Sequence, residues 1–374
     1  MTAPRKTFRS PAFSFRSFRR LALAAVASGL FAAAALASGR ADEQLAHKPT
    51  PQRCVGAYDR QPCEPGRWPS FTDAQGEVMA LYINENFPAL EAELAEIDRD
   101  GKHFIDGTTP ADAAWRAFNE LMQSEIVRTD AIDRLSRWRK AVPDSAYVDF
   151  AYDFYMYQRT LWDCLCADHS NGPVDRDQII DAAGVKAEEA LRNAPAAARA
   201  TFVWNRFMLA LAVKDRRSNI SPYEVFNAAI ARWPRDFQLY DVLLTRLTPE
   251  AGGNWILVDE FIKHWADVSS STEGRSLYAR LYINLHLDES QLNQTKVDWG
   301  KMRTAFDDLV ARYPHPSFKN AYLSSACHFS DWDTYTSLRV KLPLPASYYP
   351  MWTRGTNYVG CDERAGYRAA PATP

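Results

Sequence analysis

The chain carries no H-E-x-x-H, no G-x-S-x-G, no Walker-type phosphate loop and no G-x-G-x-x-G. Those absences speak against the commonest metalloprotease, serine hydrolase and nucleotide-binding designs, whose chemistry needs those residues at those spacings. Strand signals are scarce as well. No sustained period-two apolar run is bounded by turn residues, which argues against a sheet-based fold. Acidic residues are missing from the first 41 positions, where Arg5, Lys6, Arg9, Arg16, Arg19 and Arg20 stand instead. Residues 21–37 then lack any charge and are rich in Ala and Leu.

That order of basic, apolar and small residues is the layout of a secretory signal peptide. Ala35-Leu36-Ala37 and Gly39-Arg40-Ala41 both offer a small-residue cleavage site. We therefore expect residues 1–41 to be a cleaved signal and the protein to be periplasmic or secreted. Membrane contact would come only through that segment left uncleaved, and its alanine content makes it a poor anchor. Arg19-Arg20 fits a twin-arginine signal only in part, and no cysteine follows the apolar stretch closely enough for lipid attachment. Residues 1–41 hold seven Lys or Arg and no acid, so the remainder carries 37 basic against 46 acidic side chains, a net charge of −9. An acidic chain without basic runs is a poor partner for nucleic acid or anionic lipid.

Cysteines are few: Cys54, Cys63, Cys164, Cys166, Cys327 and Cys361. An even count in an exported chain points to disulfides, although six allow about 15 pairings. Cys54 and Cys63 bracket a short Pro- and Gly-containing segment and are expected to form a local staple. Cys164 and Cys166 stand one residue apart, too close for an easy mutual bond. Cys327 is expected to pair with Cys361, because a tail folded back over the end of a helical array must stay attached. Pairings of either with Cys164 or Cys166 would have to cross distant repeats.

Cys164-x-Cys166-x-x-His169, beside Asp163 and Asp168, has donors that suit zinc or copper. A structural zinc site wants a fourth ligand, no second pair stands nearby, and an oxidising compartment favours a disulfide or a buried thiol. No metal or cofactor is therefore expected. Asp168-His169-Ser170 contains the triad residue types, but consecutive residues cannot face one another in triad geometry. Cys327-His328 is a nucleophile and base in composition only. No catalytic residue is assigned.

What the chain does have is a repeat. Phe226-x-x-x-Ile230-Ala231-Arg232-Trp233-Pro234 recurs 80 residues later as Phe306-x-x-x-Val310-Ala311-Arg312-Tyr313-Pro314. In both copies an apolar helix face ends in an aromatic, and the proline then stops the helix. Asn193-Ala194-Pro195 marks a third helix end 39 residues before Pro234, so the offset reads as two units of about 40 residues. Inside the helices the spacing is 3.6-like: Val258, Phe261, Ile262 and Trp265 fall at i, i+3, i+4 and i+7.

The expected fold is all-α, a tetratricopeptide-like superhelix of antiparallel helical hairpins over residues 72–345. A Pro-rich irregular arm (42–71) precedes it and an irregular cap and tail (346–374) follows. Helices are expected to open at Thr72, with a Thr72-x-x-Gln75 capping box, at Thr109-Pro110, and at Ser221-Pro222 with a reciprocal Glu224.

Four stretches carry a closer resemblance. They are Leu247-Thr248-Pro249-Glu250-Ala251-Gly252-Gly253-Asn254-Trp255, Asp298-Trp299-Gly300-Lys301-Met302, the Phe306 to Pro314 repeat, and Ala326-Cys327-His328-Phe329-Ser330-Asp331. With the closing 352–361 segment, they make residues 220–365 similar to an uncharacterised bacterial family of secreted helical proteins, a domain of unknown function. That family usually has an aromatic or basic residue where Ala251 stands here. The resemblance implies a helical fold and no catalytic residues.

Tryptophans such as Trp233 and Trp265 fall at core positions of their helices. Trp255, beside a double glycine, is the one expected to meet a partner, because loops and kinks carry function more often than helix interiors. The functional expectation is a non-enzymatic scaffold that holds a protein or peptide of the cell envelope on a concave helical face. The alternative is a glycan-binding protein or glycan-acting enzyme with a carboxylate site that spacing does not reveal.

Overall fold

The computed structural model describes residues 52–54, 61–63, 68, 70–99, 101–126, 128, 130–166, 176–214, 220–342 and 358–367. Among them, β1 (Gln52–Cys54) and β2 (Gln61–Cys63) form one short antiparallel ladder, with Gln52 opposite Cys63 and Cys54 opposite Gln61. Part of the arm expected to be irregular is thus paired. The side chains of Cys54 and Cys63, and with them that expected staple, lie outside the described residues, as does the 1–41 signal.

Everything else regular is helical, so the all-α expectation holds. The helices are α1 (Phe71–Ile83), α2 (Phe87–Ile97), α3 (Pro110–Ile126), α4 (Ala131–Ala141), α5 (Val148–Cys166) and α6 (Arg176–Asn193). Then come α7 (Ala196–Arg199), α8 (Phe202–Lys214), α9 (Pro222–Arg232), α10 (Phe237–Leu247), α11 (Trp255–Val268) and α12 (Ser270–Glu273). The last are α13 (Ser276–Asn284), α14 (Glu289–Leu292), α15 (Trp299–Arg312), α16 (Pro316–His328), α17 (Trp332–Lys341) and α18 (Tyr358–Ala365). No described helix is long and apolar enough to cross a membrane.

Local chemistry sets most boundaries. At α3, Thr109 and Asp112 cap each other: the Asp112 N–H donates to Thr109 Oγ1 at 3.1 Å and the Thr109 N–H to Asp112 Oδ2 at 3.0 Å. Two expected caps differ. Helix α1 opens at Ser70, whose hydroxyl accepts from the Asp73 N–H at 3.2 Å, so Thr72 is already helical. Ser221 precedes α9 with Pro222 at the first position, but its side chain makes no cap bond. The Glu224 N–H goes instead to the Ser221 carbonyl at 3.0 Å.

Three helices end alike. Val142, Trp233 and Tyr313 leave the helix at φ/ψ of −134/82°, −122/65° and −123/83°. Each donates its N–H four residues back at 2.9 Å, and each precedes a proline, which excludes helical geometry from the residue before it. The repeated motif has repeated surroundings too. Phe226 is fully buried with its ring edge-on to Tyr240 at 5.3 Å, and Phe306 is fully buried and stacked on Tyr322 at 4.6 Å.

The packing is mostly between helices close in sequence. Helix α9 packs on α10, α10 on α11 and α13, α11 on α13, α13 on α15, α15 on α16 and α16 on α17. The long-range exceptions join α3 and α5 to α8. One core runs from Trp68 to Tyr322, and a second, smaller one gathers Leu323, Ala326, Cys327, Tyr335 and Cys361 at the C-terminal end.

The Gly252-Gly253 turn after α10 is tightly constrained. Gly252 sits at φ +87°, and a Cβ on Gly253 would stand 2.0 Å from the Leu247 carbonyl oxygen. That carbonyl also accepts from the Asn254 N–H at 2.9 Å, and Asn254 in turn caps α11 through the Leu257 N–H at 3.0 Å. Gly253→Ala is therefore expected to lower stability by about 1–3 kcal/mol, the usual cost of forcing atoms into filled space. Urea unfolding checks it, and an unchanged midpoint would contradict the constraint.

Candidate functional site

Between α2 and α3 the chain leaves the helices, and residues 98–99 and 101–109 form a strap. A turn at Asp106-Gly107 bends it. Asp106 Oδ1 accepts from the Thr108 N–H at 2.9 Å and the Thr108 hydroxyl at 2.6 Å, and Gly107 supplies φ +78°. The strap touches each of the three proline junctions. Asp98 accepts from the Tyr147 hydroxyl at 2.9 Å and the Phe202 N–H at 3.0 Å, and its carbonyl accepts from Trp233 Nε1 at 3.3 Å. His103 Nε2 lies 2.8 Å from the Arg235 carbonyl, and its ring sits against Phe237 and Tyr313.

Arg280 anchors the far end. It projects from α13 into the interior, 5 % exposed, and donates from Nη1 to the Asp106 carbonyl at 3.0 Å. Its guanidinium carbon lies 4.3, 4.7 and 4.8 Å from the ring centroids of Phe237, Phe318 and Tyr313. The negative faces of three rings offset part of the cost of burying the charge. Burial still holds Arg280 below the usual arginine range, and its Nε and Nη2 have no hydrogen-bond partner among the described residues. A Cβ on Gly107 would come within 2.2 Å of Nη2, so the strap presses backbone directly onto the guanidinium.

Carboxyl groups of the strap and of the helices around it are raised by burial. Asp98 is pushed up to about 6 by burial, against the pull of its two hydrogen bonds. Asp241 is pushed up to about 7 by burial, although Asn284 Nδ2 donates to its Oδ2 at 2.7 Å. Asp112 on α3 and Asp236 before α10 are both buried, with their carboxyl groups in hydrogen-bond contact. Burial raises both; the Asp236 charge raises Asp112 further, whereas the hydrogen bond from Asp112 lowers Asp236, so the pair titrates as one unit above the ordinary carboxylate range. The Thr109 hydroxyl donates to Asp236 Oδ2 at 3.0 Å. The nearby cation, Arg206, is committed to Gln238 through its carbonyl and its Oε1.

This geometry is a clasp rather than a hydrolytic site. Two-acid glycoside hydrolysis needs carboxyl groups about 5–10 Å apart across a sugar-sized cleft. Asp112 and Asp236 touch, and both are sealed from solvent. A surface hollow between α4 and α5 is lined by Leu135, Ser136, Arg139, Lys140, Val148 and Tyr152, with no carboxylate among them.

The residues singled out from sequence fall as follows. Trp255 is 9 % exposed and belongs to the main core. The exposed apolar side chains of that turn are Ile256 and Leu257. Cys327 and Cys361 are disulfide-bonded, with Cα atoms 5.8 Å apart. Cys164 is a buried free thiol, whereas the Cys166 side chain, Asp168 and His169 lie outside the described residues. The tail expected to be irregular contains α18; residues 346–357 and 368–374 lie outside the described residues.

Sequence reasoning missed the strap, Arg280 and the Asp112–Asp236 pair. Arg280 did leave a signal. It is the one charged residue in Ser276-Leu-Tyr-Ala-Arg280-Leu-Tyr-Ile-Asn284, and a lone charge with apolar neighbours on every helix face is a candidate for burial. No family model, curated protein or solved structure matches the chain.

Proposed function

We infer that the chain is an exported, non-enzymatic scaffold that holds a protein or peptide of the cell envelope on the concave face of a helical superhelix. The three equivalent proline junctions and the packing of helices close in sequence support a tetratricopeptide-like solenoid with a period of about 40 residues. The same features fit the resemblance to the secreted family of unknown function. Export rests on the basic, apolar and small-residue order of residues 1–41.

The observation that carries the binding reading is the strap. It is an extended segment already docked on the helix junctions, and its backbone carbonyls at Asp98 and Asp106 are held by Trp233 and Arg280. An array that grips main-chain carbonyls with aromatic and guanidinium donors offers the contacts that a bound peptide needs, whatever its side chains. The touching, sealed carboxyl pair gives the glycan-hydrolysing alternative no support.

Affinity capture from the envelope fraction, with mass spectrometry of the captured material, tests this. The expected result is a polypeptide that protects amides of the 233–237 and 313–318 junctions from hydrogen exchange. Release of soluble sugar from purified cell-wall polymer by the isolated chain would overturn it.

A further inference from the structure

We propose that residues 98–99 and 101–109 form a proton-operated strap, clasped to the helical array by one proton held between the carboxyl groups of Asp112 and Asp236. The inference goes beyond the binding reading and does not depend on it. Asp236 Oδ1 is buried and has no donor among the described residues, while Thr109 holds both acids, its N–H on Asp112 Oδ2 and its hydroxyl on Asp236 Oδ2, each at 3.0 Å, and the two carboxyl groups share a hydrogen bond. A proton on either acid supplies the missing donor. Without it, two carboxylates face each other in a medium that screens poorly.

The groups around the pair leave the proton as the natural remedy. From the strap, the Thr109 hydroxyl and N–H donate, one to each acid. From α8, Arg206 attracts both acids, but its guanidinium is already bound to Gln238. From α10 come Leu239, whose N–H donates to the Asp236 backbone carbonyl at 3.3 Å, and two further titratable groups, Asp241 and Tyr240. The Asp112 charge raises Asp241, and the Asp236 charge raises Tyr240. Arg235, next in the chain, is turned to Glu273 on α12, and its carbonyl is held by His103. The pair therefore has one committed cation and two acidic neighbours.

The consequence has a definite sign. A carboxyl pair whose proton is held more tightly in the folded state stabilises that state fully at pH near 4, and loses the contribution as pH rises through the folded titration. Thr109 ties the strap to Asp236, so loss of the proton loosens the strap first at its Gly107–Thr109 end. His103 acts in the opposite sense, because burial lowers its titration and favours the neutral ring. Acid therefore strains the middle of the strap while neutral and alkaline pH strain the clasp.

Hydrogen exchange of the full chain from pH 5 to pH 8, corrected for intrinsic chemistry, reads the opening directly. In the wild type the opening constant of the 104–109 amides is expected to rise with pH, by up to about tenfold per unit for one linked proton. Asp112→Asn keeps an acceptor for the Thr109 N–H and gives Asp236 a permanent N–H donor. It should leave a shallower rise than the wild type, set by the remaining groups. Asp98 and Asp241 titrate in both proteins, so the difference isolates the pair. Equal slopes in the two proteins would overturn the proposal. If Asp112→Asn does not fold, Asp236→Asn serves in its place. Infrared spectra of the two proteins give an independent reading. A protonated-carboxyl band at pH 6 that is stronger in the wild type than in Asp112→Asn supports the shared proton, and bands of equal strength in the two proteins refute it.

Discussion

Phe306→Ala is expected to lower the unfolding free energy by about 3–5 kcal/mol, the range for deleting a core aromatic. Phe306 is fully buried on α15, and its ring lies parallel to Tyr322 at an interplanar angle of 4°. Truncation removes the stacking contact and opens a cavity that α15 and α16 cannot close without shifting the proline junction between them. Phe226→Ala should cost a similar amount for the same reason, since Phe226 meets Tyr240, Phe261 and Trp265. The two sites share no ring partner, so the double variant should lose close to the sum. Urea titration followed by tryptophan fluorescence checks both. A loss below about 1 kcal/mol for Phe306→Ala would mean that the repeated phenylalanine does not hold the hairpin together, and with it would go the physical basis of the repeat.

The repeat was legible because its signals are local. A helix face buries residues three and four apart, and a proline acts on its immediate predecessor, so Phe226, Ile230, Trp233 and Pro234 can be read without knowing where the chain goes. The Thr109–Asp112 cap is equally local. Ser221 shows the limit: the N-cap residue and the N1 proline are where expected, yet the side-chain rotamer that would complete the bond is set by surroundings that sequence does not list. Helix α18 was missed because eight residues containing Gly360 are too few to show a period.

The strap was beyond reach for a different reason. His103 meets Arg235 across 132 residues and Arg280 meets Asp106 across 174. No periodicity connects such positions, and the residues involved look like ordinary loop and helix members until the helices are stacked. Trp255 shows how a local signal depends on the cap beside it. Its place beside two glycines suggested exposure, but Asn254 caps the helix so that Trp255, its first residue, turns into the core and Ile256 and Leu257 turn out.

Removing the Cys327–Cys361 bond is expected to weaken the C-terminal end by about 4 kcal/mol, the chain-entropy value for a loop of this length. The two cysteines are separated by 34 residues and both are fully buried in the small second core. Because that core is distinct from the main one, the loss should be local: α18 detaches at lower denaturant while the Trp68–Tyr322 core keeps its transition. What remains to hold α18 is the packing of Tyr358 and Ala365 on that core and a set of polar contacts. Arg339 donates to both oxygens of Asp362, with Nε at 2.9 Å and Nη2 at 3.0 Å, and the Tyr335 hydroxyl donates to the same carboxylate at 2.7 Å. Arg339 is nearly sealed from solvent, so this pair is screened less than a surface one and should keep the cap docked in the absence of denaturant. Cys361→Ala alone is therefore expected to leave the native fold intact, and Cys361→Ala with Arg339→Ala to release α18. Limited proteolysis within residues 358–367 distinguishes these states, with cleavage there appearing only in the double variant. Cleavage that is equally fast in both variants would show that the disulfide alone holds the cap. Recovery of Cys327 as an alkylated free thiol, in peptide mapping without reductant, would remove the bond from the account altogether.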